Sequence, residues 1–176
     1  MTNPTPLPTV TRTYLEMTER ARQGRADTGL PANAVVRRAP VPAARFRELY
    51  ARVGCAYRWT DRDGWTDAAI ERRFSAGPVT LWELEIGGAI AGFYELEAHP
   101  DGSVEIVLFG LVPEFTGRGL GKRLLVDATE RAWELGANRV WLHTCTLDSP
   151  AALPNYVARG FRPYRTEQYE LADHAE

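Results

Sequence analysis

The fold is decided by the stretch Pro113-Glu114-Phe115-Thr116-Gly117-Arg118-Gly119-Leu120-Gly121-Lys122. An apolar segment, Val104 to Val112, precedes it, and leucines and alanines at helical spacing follow from Gly119 to Leu135. This pattern predicts a buried strand, a glycine-rich turn and a long helix. The first N–H groups of such a helix have no partners within it and, with the helix dipole, form an anion site. The turn is therefore either a phosphate-binding turn or only a tight connection between strand and helix.

Two well-known phosphate loops do not fit this turn. A Walker A loop needs a glycine five residues before Gly121 and a serine or threonine after Lys122, but Thr116 and Arg123 stand there. The dinucleotide fingerprint fails as well, because Lys122 stands at the position of its third glycine. A nucleotide-binding protein that holds ATP at this turn is accordingly our last-ranked hypothesis.

The second half of the chain predicts strands and helices around the turn. Gly87-Gly88 is suited to a tight hairpin, and Pro100-Asp101-Gly102 turns the chain into the strand before the glycine turn. After the long helix come a strand, a short helix and a last strand. The predicted strands cover 79–86, 89–98, 104–112, 139–147 and 161–171, and the predicted helices cover 119–135 and 150–159.

The first half carries weaker signals. A strand is predicted from Thr9 to Met17, and Val35 and Val36 are expected to begin its partner strand. Helical spacing predicts one helix from Pro40 to Gly54 and a second, short helix that begins near Thr66.

Length and composition are those of one globular domain. The chain has 176 residues, of which 44% are hydrophobic and 25% charged, so it has enough apolar side chains for a continuous core. We expect a flexible N-terminal arm over residues 1–8 and a single domain over residues 9–176. The segment from Gln23 to Asn33 is predicted to be a long polar loop.

The net charge and the cysteines indicate which partners and which cellular compartment to expect. The formal net charge is -2, which gives no reason to expect nucleic acid or an anionic membrane as a partner. Cys55 and Cys145 are far apart and form no CxxC pair, as in proteins of a reducing compartment. With no secretory pattern at the N-terminus and no apolar run of membrane-spanning length, we predict a cytoplasmic protein.

Two motifs resemble the GNAT (N-acetyltransferase) superfamily. The segment from Phe109 to Leu125 is similar to its motif A, Arg/Gln-x-x-Gly-x-Gly/Ala: Gly119 and Gly121 match the glycines, and Thr116 stands where Arg or Gln is usual. The segment 148–161 is similar to its motif B. Its Ala152, Tyr156, Gly160 and Phe161 match, whereas Ser149 replaces Asn and Asn155 replaces Leu. The resemblance covers about the last hundred residues.

The resemblance implies a fold and a cofactor site. The fold is α/β (α+β): a mixed, mostly antiparallel central sheet, splayed between its fourth and fifth strands and flanked by about four helices. Acetyl-CoA is the implied co-substrate, with its pantetheine arm in the gap and its pyrophosphate on the turn. The implied cofactor-binding residues are Leu111, Val112, Thr116, Gly117, Arg118, Gly119, Leu120, Gly121, Lys122 and Ala152.

Two catalytic residues are expected from the same resemblance. An alkylamine is protonated at neutral pH, so a base must remove its proton before the nitrogen attacks the thioester. Glu105 lies on the central strand, 14 positions before Gly119. The stretch Val104-Glu105-Ile106-Val107 resembles the histone-acetylating branch, in which a glutamate at that place on the strand is the general base; a solvated strand glutamate is the alternative. Tyr156 resembles the motif B tyrosine that protonates the leaving thiolate, and core filling is its alternative role.

Cysteine and histidine side chains are further candidates for catalysis or metal binding. Cys145 could form a thiol relay with His143, since both would lie on one strand face, but a half-buried structural pair is favoured. The histidines at 99, 143 and 174 show no ligand spacing for zinc, and the transfer needs no metal, so we predict none.

The acceptor site is expected in the loop between the two early helices. Tyr57, Trp59 and Arg62 are predicted to bind the substrate by aromatic and charge contacts. Glu95, on the strand beside that of Glu105, is a further wall residue and the fallback base. An aromatic cluster that only covers the end of the sheet is the alternative interpretation of the loop.

These observations predict an acetyl-CoA-dependent N-acetyltransferase that transfers an acetyl group to a primary amine by direct attack in a ternary complex. The amine belongs to a small molecule or a protein, and its identity stays open. A non-catalytic acyl-CoA-binding regulatory module is the alternative. A homodimer is possible by analogy with exposed sheet edges in this fold.

Overall fold

A computed structural model describes residues 9–20, 29–75 and 77–170. The predicted N-terminal arm, residues 1–8, lies outside the described residues, as does most of the predicted polar loop. Within the described ranges the strands are β1 Thr9–Met17, β2 Ala34–Arg38, β3 Val79–Ile86, β4 Ala89–Ala98, β5 Ser103–Leu111, β6 Arg139–Cys145 and β7 Arg162–Glu170. The α-helices there are α1 Ala43–Gly54, α2 Asp67–Ser75, α3 Leu120–Glu134 and α4 Ala152–Ala158.

The strands form one mixed sheet in the order β2-β3-β4-β5-β6-β1-β7. Neighbouring strands are antiparallel except β5 and β6, which are parallel and joined through α3. The predicted fold class, a mixed and mostly antiparallel sheet with helices on its faces, is therefore confirmed. The hairpin of β3 and β4 turns at Gly87 and Gly88, whose φ angles of 58° and 83° favour glycine.

The sheet opens between β5 and β6, the fourth and fifth strands across it. These strands pair only from Ser103 opposite Arg139 to Glu105 opposite Trp141. Beyond that point β6 continues beside β1, pairing up to Cys145 opposite Arg12, while β5 stays beside β4. Each strand keeps its antiparallel partner, so a gap forms between them. The predicted splay lies here.

The expected partner of β1 was wrong. Val35 lies in β2, which pairs with β3 at one edge of the sheet, whereas β1 lies between β6 and β7 near the other edge. Alternation specifies a half-buried strand but not its neighbour, which long-range packing selects. Leu15 and Met17 of β1 join the buried core under α3, and this packing holds β1 in place.

Helices cover both faces of the sheet. One core cluster joins α3 and α4 to one face through residues such as Leu124, Leu125 and Tyr156. A second cluster joins α1 and α2 to the other face through Phe46, Ile70 and other apolar side chains. None of the helices in the described ranges has the length and apolarity required to cross a lipid bilayer.

Two of the elements are shorter than predicted. β6 ends at Cys145 instead of Leu147, because the Asp148 carboxylate accepts hydrogen bonds from the Cys145 N–H at 2.9 Å and the Thr144 hydroxyl at 2.6 Å. α4 begins at Ala152, after the turn that contains Pro150.

Candidate active site

A cavity of about 630 Å³ lies at the gap between β5 and β6. Its walls come from both faces of the sheet. Tyr156 lines it from the α4 side, while Tyr50 and the loop after α1 line it from the other side. β1, β6 and β7 complete the wall with Arg12, His143 and Tyr169. The parted strands thus allow two ligands to meet from opposite sides.

Tyr156 lies against the gap in a buried, aromatic environment. Its ring makes edge contacts with Phe109 and Phe161, with 6.3 Å between ring centroids in each pair. Burial, reinforced by the negative charge of Asp148, raises the pKa of the Tyr156 phenol above its usual value. No hydrogen bond to this hydroxyl is found within the described residues. The phenol is therefore a neutral proton donor that faces the cavity.

His143 of β6 lines the cavity on the side of the sheet opposite Tyr156. Its ring lies 5.6 Å from that of Tyr14, the residue opposite it on β1. Burial lowers the pKa of His143, and the charge of Arg12 lowers it further, while Asp148 and Asp61 act in the opposite direction. The imidazole is thus mainly uncharged at neutral pH.

Glu105 does not line the cavity. It lies on the last residue pair before the strands part, and its carboxylate is 3.3 Å from the His99 ring nitrogen. Burial raises the pKa of Glu105, and the contact with His99 opposes this rise. The structure therefore places the predicted base in a buried pair beside the cavity, behind the point where the gap begins.

Glu95 is fully buried and held by two arginines. Arg62 donates to its two oxygens at 2.6 and 3.1 Å, and Arg73 donates to it at 2.8 Å. Arg73 also bridges Glu97 at 2.6 Å. Both oxygens of the Glu95 carboxylate are therefore occupied by arginine donors. Glu95 is absent from the cavity lining, whereas Arg62 is part of it.

The loop after α1, which was predicted to bind the acceptor, forms one wall of the cavity. Tyr57, Trp59 and Arg62 all line the cavity. Trp59 packs between Tyr50 and Phe93, at centroid distances of 5.5 and 6.3 Å. The Arg62 guanidinium stacks over Trp65 at 4.8 Å while it binds Glu95. Arg62 therefore anchors the loop to the sheet, and its charge is neutralised inside the protein.

The end of β5 directs backbone groups into the gap. The Val112 N–H donates to the Ala91 carbonyl on β4 at 3.0 Å. Because successive residues of a strand point their N–H groups in opposite directions, Leu111 and Phe109 direct theirs toward the gap. These groups stand where a thioester oxygen could accept hydrogen bonds.

The glycine turn has the geometry of an anion site. Gly117 and Gly119 have φ angles of 74° and 71°, in the region that favours glycine. No side chain caps the N-terminus of α3, and its first turn contains no acidic residue. Arg118 stacks over Phe115 at 5.2 Å, which holds one positive charge at the turn. Uncapped N–H groups and nearby cations fit a pyrophosphate.

The remaining predicted cofactor residues take different places. Thr116 is exposed, and its hydroxyl donates to the Pro113 carbonyl at 2.8 Å, so the side chain is used within the turn. Val112 and Leu120 are buried in the core. The Lys122 side chain lies beside Gly119, where an added Cβ would meet its Cε at 3.6 Å. Ala152 is the first residue of α4.

Sequence reasoning missed several cavity residues. Arg12 and Tyr169 come from β1 and β7, which carry no motif and which only the tertiary fold brings to the gap. Asp61 stands within the predicted acceptor loop but was not selected. Asp148 opens the motif B segment, so its position was a usable signal.

Three side chains could offer ligands to a metal ion: Glu97, His99 and Glu105, whose ligand atoms lie within 4.8 Å of one another. Arg73 already binds Glu97, and its positive charge disfavours a cation there. The absence of a metal requirement stays a prediction.

Comparison with known proteins identifies the family. The sequence model of the acetyltransferase (GNAT) family matches residues 45–161, which is more than half of the chain. The chain belongs to the GNAT acetyltransferase family. The match begins in α1 and ends after α4, so it contains the acceptor loop, the gap and the glycine turn.

GNAT proteins of known name are similar to this chain at low identity. A mycothiol acetyltransferase of Nocardia farcinica is 29% identical over 141 residues, 74% of this chain and 46% of the relative. One from Saccharopolyspora erythraea is 27% identical, over 80% of this chain and 43% of the relative. The chain thus spans about half the length of these relatives.

Solved GNAT structures share the fold. A GCN5-related N-acetyltransferase from Kribbella flavida has a TM-score of 0.61 at 21% identity, covering 89% of this chain and 55% of its own. An acetyltransferase of Bacillus subtilis, solved in complex with CoA, has a TM-score of 0.57 at 23% identity, covering 73% of this chain and 76% of its own.

Proposed function

We propose that the protein is an acetyl-CoA-dependent N-acetyltransferase that acetylates a primary amine by direct attack in a ternary complex. The observation that carries this proposal is the gap between β5 and β6, which opens a cavity to both faces of the sheet. Membership of the GNAT family and the CoA complex of the Bacillus subtilis neighbour support acetyl-CoA as the donor.

The donor is held at the turn and along β5. The N-terminus of α3, with Gly117 and Gly119, binds the pyrophosphate through backbone N–H groups, and Arg118 and Lys122 add positive charge. When bound, acetyl-CoA supplies the activated acetyl group as a thioester. The N–H groups of Phe109 and Leu111 then stabilise the charge that develops on the carbonyl oxygen.

The acceptor enters from the side of α1 and α2. Tyr57 and Trp59 offer aromatic faces to an alkylammonium, and Asp61 adds a carboxylate to the same wall. These groups favour a cationic amine, either of a small molecule or of a protein. On the far side of the gap, Tyr156 donates its proton to the departing thiolate.

The test is turnover with purified protein. Acetyl-CoA is incubated with a panel of amines, from diamines and amino acids to peptides, while free thiol is measured and products are identified by mass spectrometry. We expect thiol release that depends on one class of amine, with one acetyl group added to it. Acetyl-CoA binding with no transfer to any amine would instead favour the regulatory module.

A cytoplasmic location and a homodimer, like the absence of nucleic-acid and membrane partners, are expectations from sequence. Size-exclusion chromatography with light scattering would decide the oligomeric state of the purified chain.

A further inference from the structure

We propose that His143, rather than Glu105 or Glu95, is the catalytic base that takes the proton from the acceptor ammonium. This inference rests on the proposed function, because it concerns the same amine and the same gap. His143 lies on β6, on one side of the gap, whereas the base predicted from sequence, Glu105, lies on β5 on the other side.

The position of His143 follows from where the strands part. Trp141 of β6 is the last residue that pairs with β5, opposite Glu105. His143 is two residues further along β6, on the same face as Trp141, because side chains of a strand alternate. It is therefore the first side chain of β6 on that face that stands beside the open gap. The cavity lining includes His143 and omits both Glu105 and Glu95.

The surroundings of His143 leave its ring nitrogens available. The described residues contain no hydrogen bond or ion pair to the ring, and its contact with Tyr14 is a tilted ring contact, with 59° between the ring planes. The charged groups that face it are Arg12 on β1, Asp61 in the acceptor loop and Asp148 after β6. Cys145 on the same strand and Tyr156 across the gap also line this cavity.

Burial, together with the charge of Arg12, gives His143 the protonation state of a base. Burial and Arg12 hold its pKa below the usual value, so a neutral imidazole is ready to accept a proton at pH 7. Asp61 and Asp148 would stabilise the imidazolium after transfer. They would also attract the incoming ammonium to the cavity.

The two carboxylates are poorer candidates for geometric reasons. Glu95 has no free face, since Arg62 and Arg73 occupy both of its oxygens. Glu105 contacts His99 and lies behind the paired end of the strands. Either group would need a rearranged sheet or a chain of waters to reach an amine in the cavity.

The proposed step balances in atoms and charge. A ring nitrogen of His143 accepts one proton from the ammonium, and the freed nitrogen lone pair attacks the thioester carbonyl carbon. As the carbon–sulfur bond breaks, the sulfur takes the phenolic proton of Tyr156. The tyrosinate recovers a proton from the new amide nitrogen, and the imidazolium releases its proton to water. The products are the acetylated amine, free CoA and one proton.

The experiment compares three matched variants of the full chain: His143→Gln, His99→Gln and Glu105→Gln. Each is assayed with acetyl-CoA and the best amine of the panel, across pH 5.5 to 9.5. We expect His143→Gln to lower kcat by about 10²- to 10⁴-fold, the range of general base catalysis. It should also flatten the acidic limb of the kcat/KM profile. His99→Gln, a histidine on the same face but outside the cavity lining, should stay near the wild-type rate.

The outcomes separate this inference from the proposed function. If wild-type protein neither binds acetyl-CoA nor releases thiol, the proposed function fails. If wild type is active and His143→Gln keeps its rate and its acidic limb, the assignment of His143 is wrong. A large loss confined to Glu105→Gln would return the role to that residue.

A second readout needs no acceptor. NMR of protein labelled with ¹⁵N in its histidines, with His143→Gln to assign the signal, reports the charge of the ring directly. We expect a neutral imidazole at pH 7 that titrates below 6.5. An imidazolium at pH 7 would overturn the proposal.

Discussion

At the scale of single residues, the fully buried carboxylate of Glu95 is paired with two arginines. Arg62 comes from the loop after α1, and Arg73 comes from α2. Removing one member of such a set leaves the others as uncompensated buried charges. Sequence analysis predicted Arg62 and Glu95 separately as substrate-binding residues. Only the fold shows that their side chains bind each other.

Glu95→Gln is therefore expected to destabilise the protein by about 3 to 5 kcal/mol, because the buried Arg62 loses its anion and Arg73 keeps only Glu97. Urea unfolding followed by circular dichroism measures the change. Glu114→Gln is the matched control, since Glu114 is exposed and its nearest cation is 4.0 Å away. Equal stability of both variants would show that the buried network is not needed for folding.

Tyr156→Phe tests the proton donor. We expect kcat to fall by about 10²- to 10⁴-fold while the affinity for acetyl-CoA stays unchanged, because only the phenolic proton is removed from a ring that remains packed. Steady-state kinetics and calorimetric binding measure the two effects. Tyr164→Phe, at an exposed position outside the cavity lining, should behave like wild type. An unchanged rate for Tyr156→Phe would exclude this residue as the donor.

The lowered pKa of His143 predicts how the free energy of unfolding depends on pH. Its pKa is lower in the folded than in the unfolded state, so the unfolded chain binds the proton more readily. Its stabilising contribution, present above pH 6.5, should decline as the pH falls toward the folded pKa. His143→Gln should therefore lose less stability than wild type between pH 7 and pH 5. Parallel curves for both proteins would show that folding does not change the pKa of His143.

At the scale of elements, local patterns predicted most of the second half. The bounds of β3 and β4 are those expected from alternation around Gly87-Gly88, and α3 begins one residue after its predicted start. The bounds of these elements depend mainly on residues that are close to one another in the sequence. β1 was predicted as a strand with the wrong partner, because pairing over a distance of more than a hundred residues depends on packing that alternation does not encode.

A substitution at Gly121 tests ligand binding at the N-terminus of α3 separately from folding. A Cβ at this position would make only an ordinary contact with Leu111 at 3.8 Å, and φ is not positive there, so packing does not require glycine. Gly121→Ala should leave stability unchanged or raise it by up to about 1 kcal/mol. The Cβ would stand between the helix N-terminus and a pyrophosphate, so acetyl-CoA affinity should fall at least about tenfold.

Calorimetric titration and thermal unfolding check both parts of this prediction. Gly64→Ala serves as the control, because a Cβ at that glycine meets open space away from the turn. Full acetyl-CoA affinity in the Gly121→Ala variant would mean that the phosphates do not approach the backbone at this turn.

At the scale of the whole molecule, β1 brings the first part of the chain into the sheet between two strands from the last part. It pairs on one side with β6 and on the other with β7, and its Leu15 is fully buried under α3. Arg12 of the same strand reaches the cavity. The first strand is therefore part of both the core and the site, although the family match begins only at residue 45.

Leu15→Ala is expected to cost about 2 to 5 kcal/mol of stability, the range for a large-to-small change in a packed core. Val35→Ala, on the edge strand β2 and 54% exposed, should change stability by less than about 0.5 kcal/mol. Chemical denaturation of both variants provides the comparison. A small effect of Leu15→Ala would show that β1 contributes little to the folded core.

The most direct test of the central claim is the thermal unfolding of wild-type protein without ligand, with acetyl-CoA and with ATP. A ligand that binds only the folded state at about a hundred times its Kd adds about 2.7 kcal/mol of stability, which raises Tm by several degrees. The account predicts this rise with acetyl-CoA and none with ATP. An unchanged Tm at millimolar acetyl-CoA would contradict a donor site at the gap and the glycine turn.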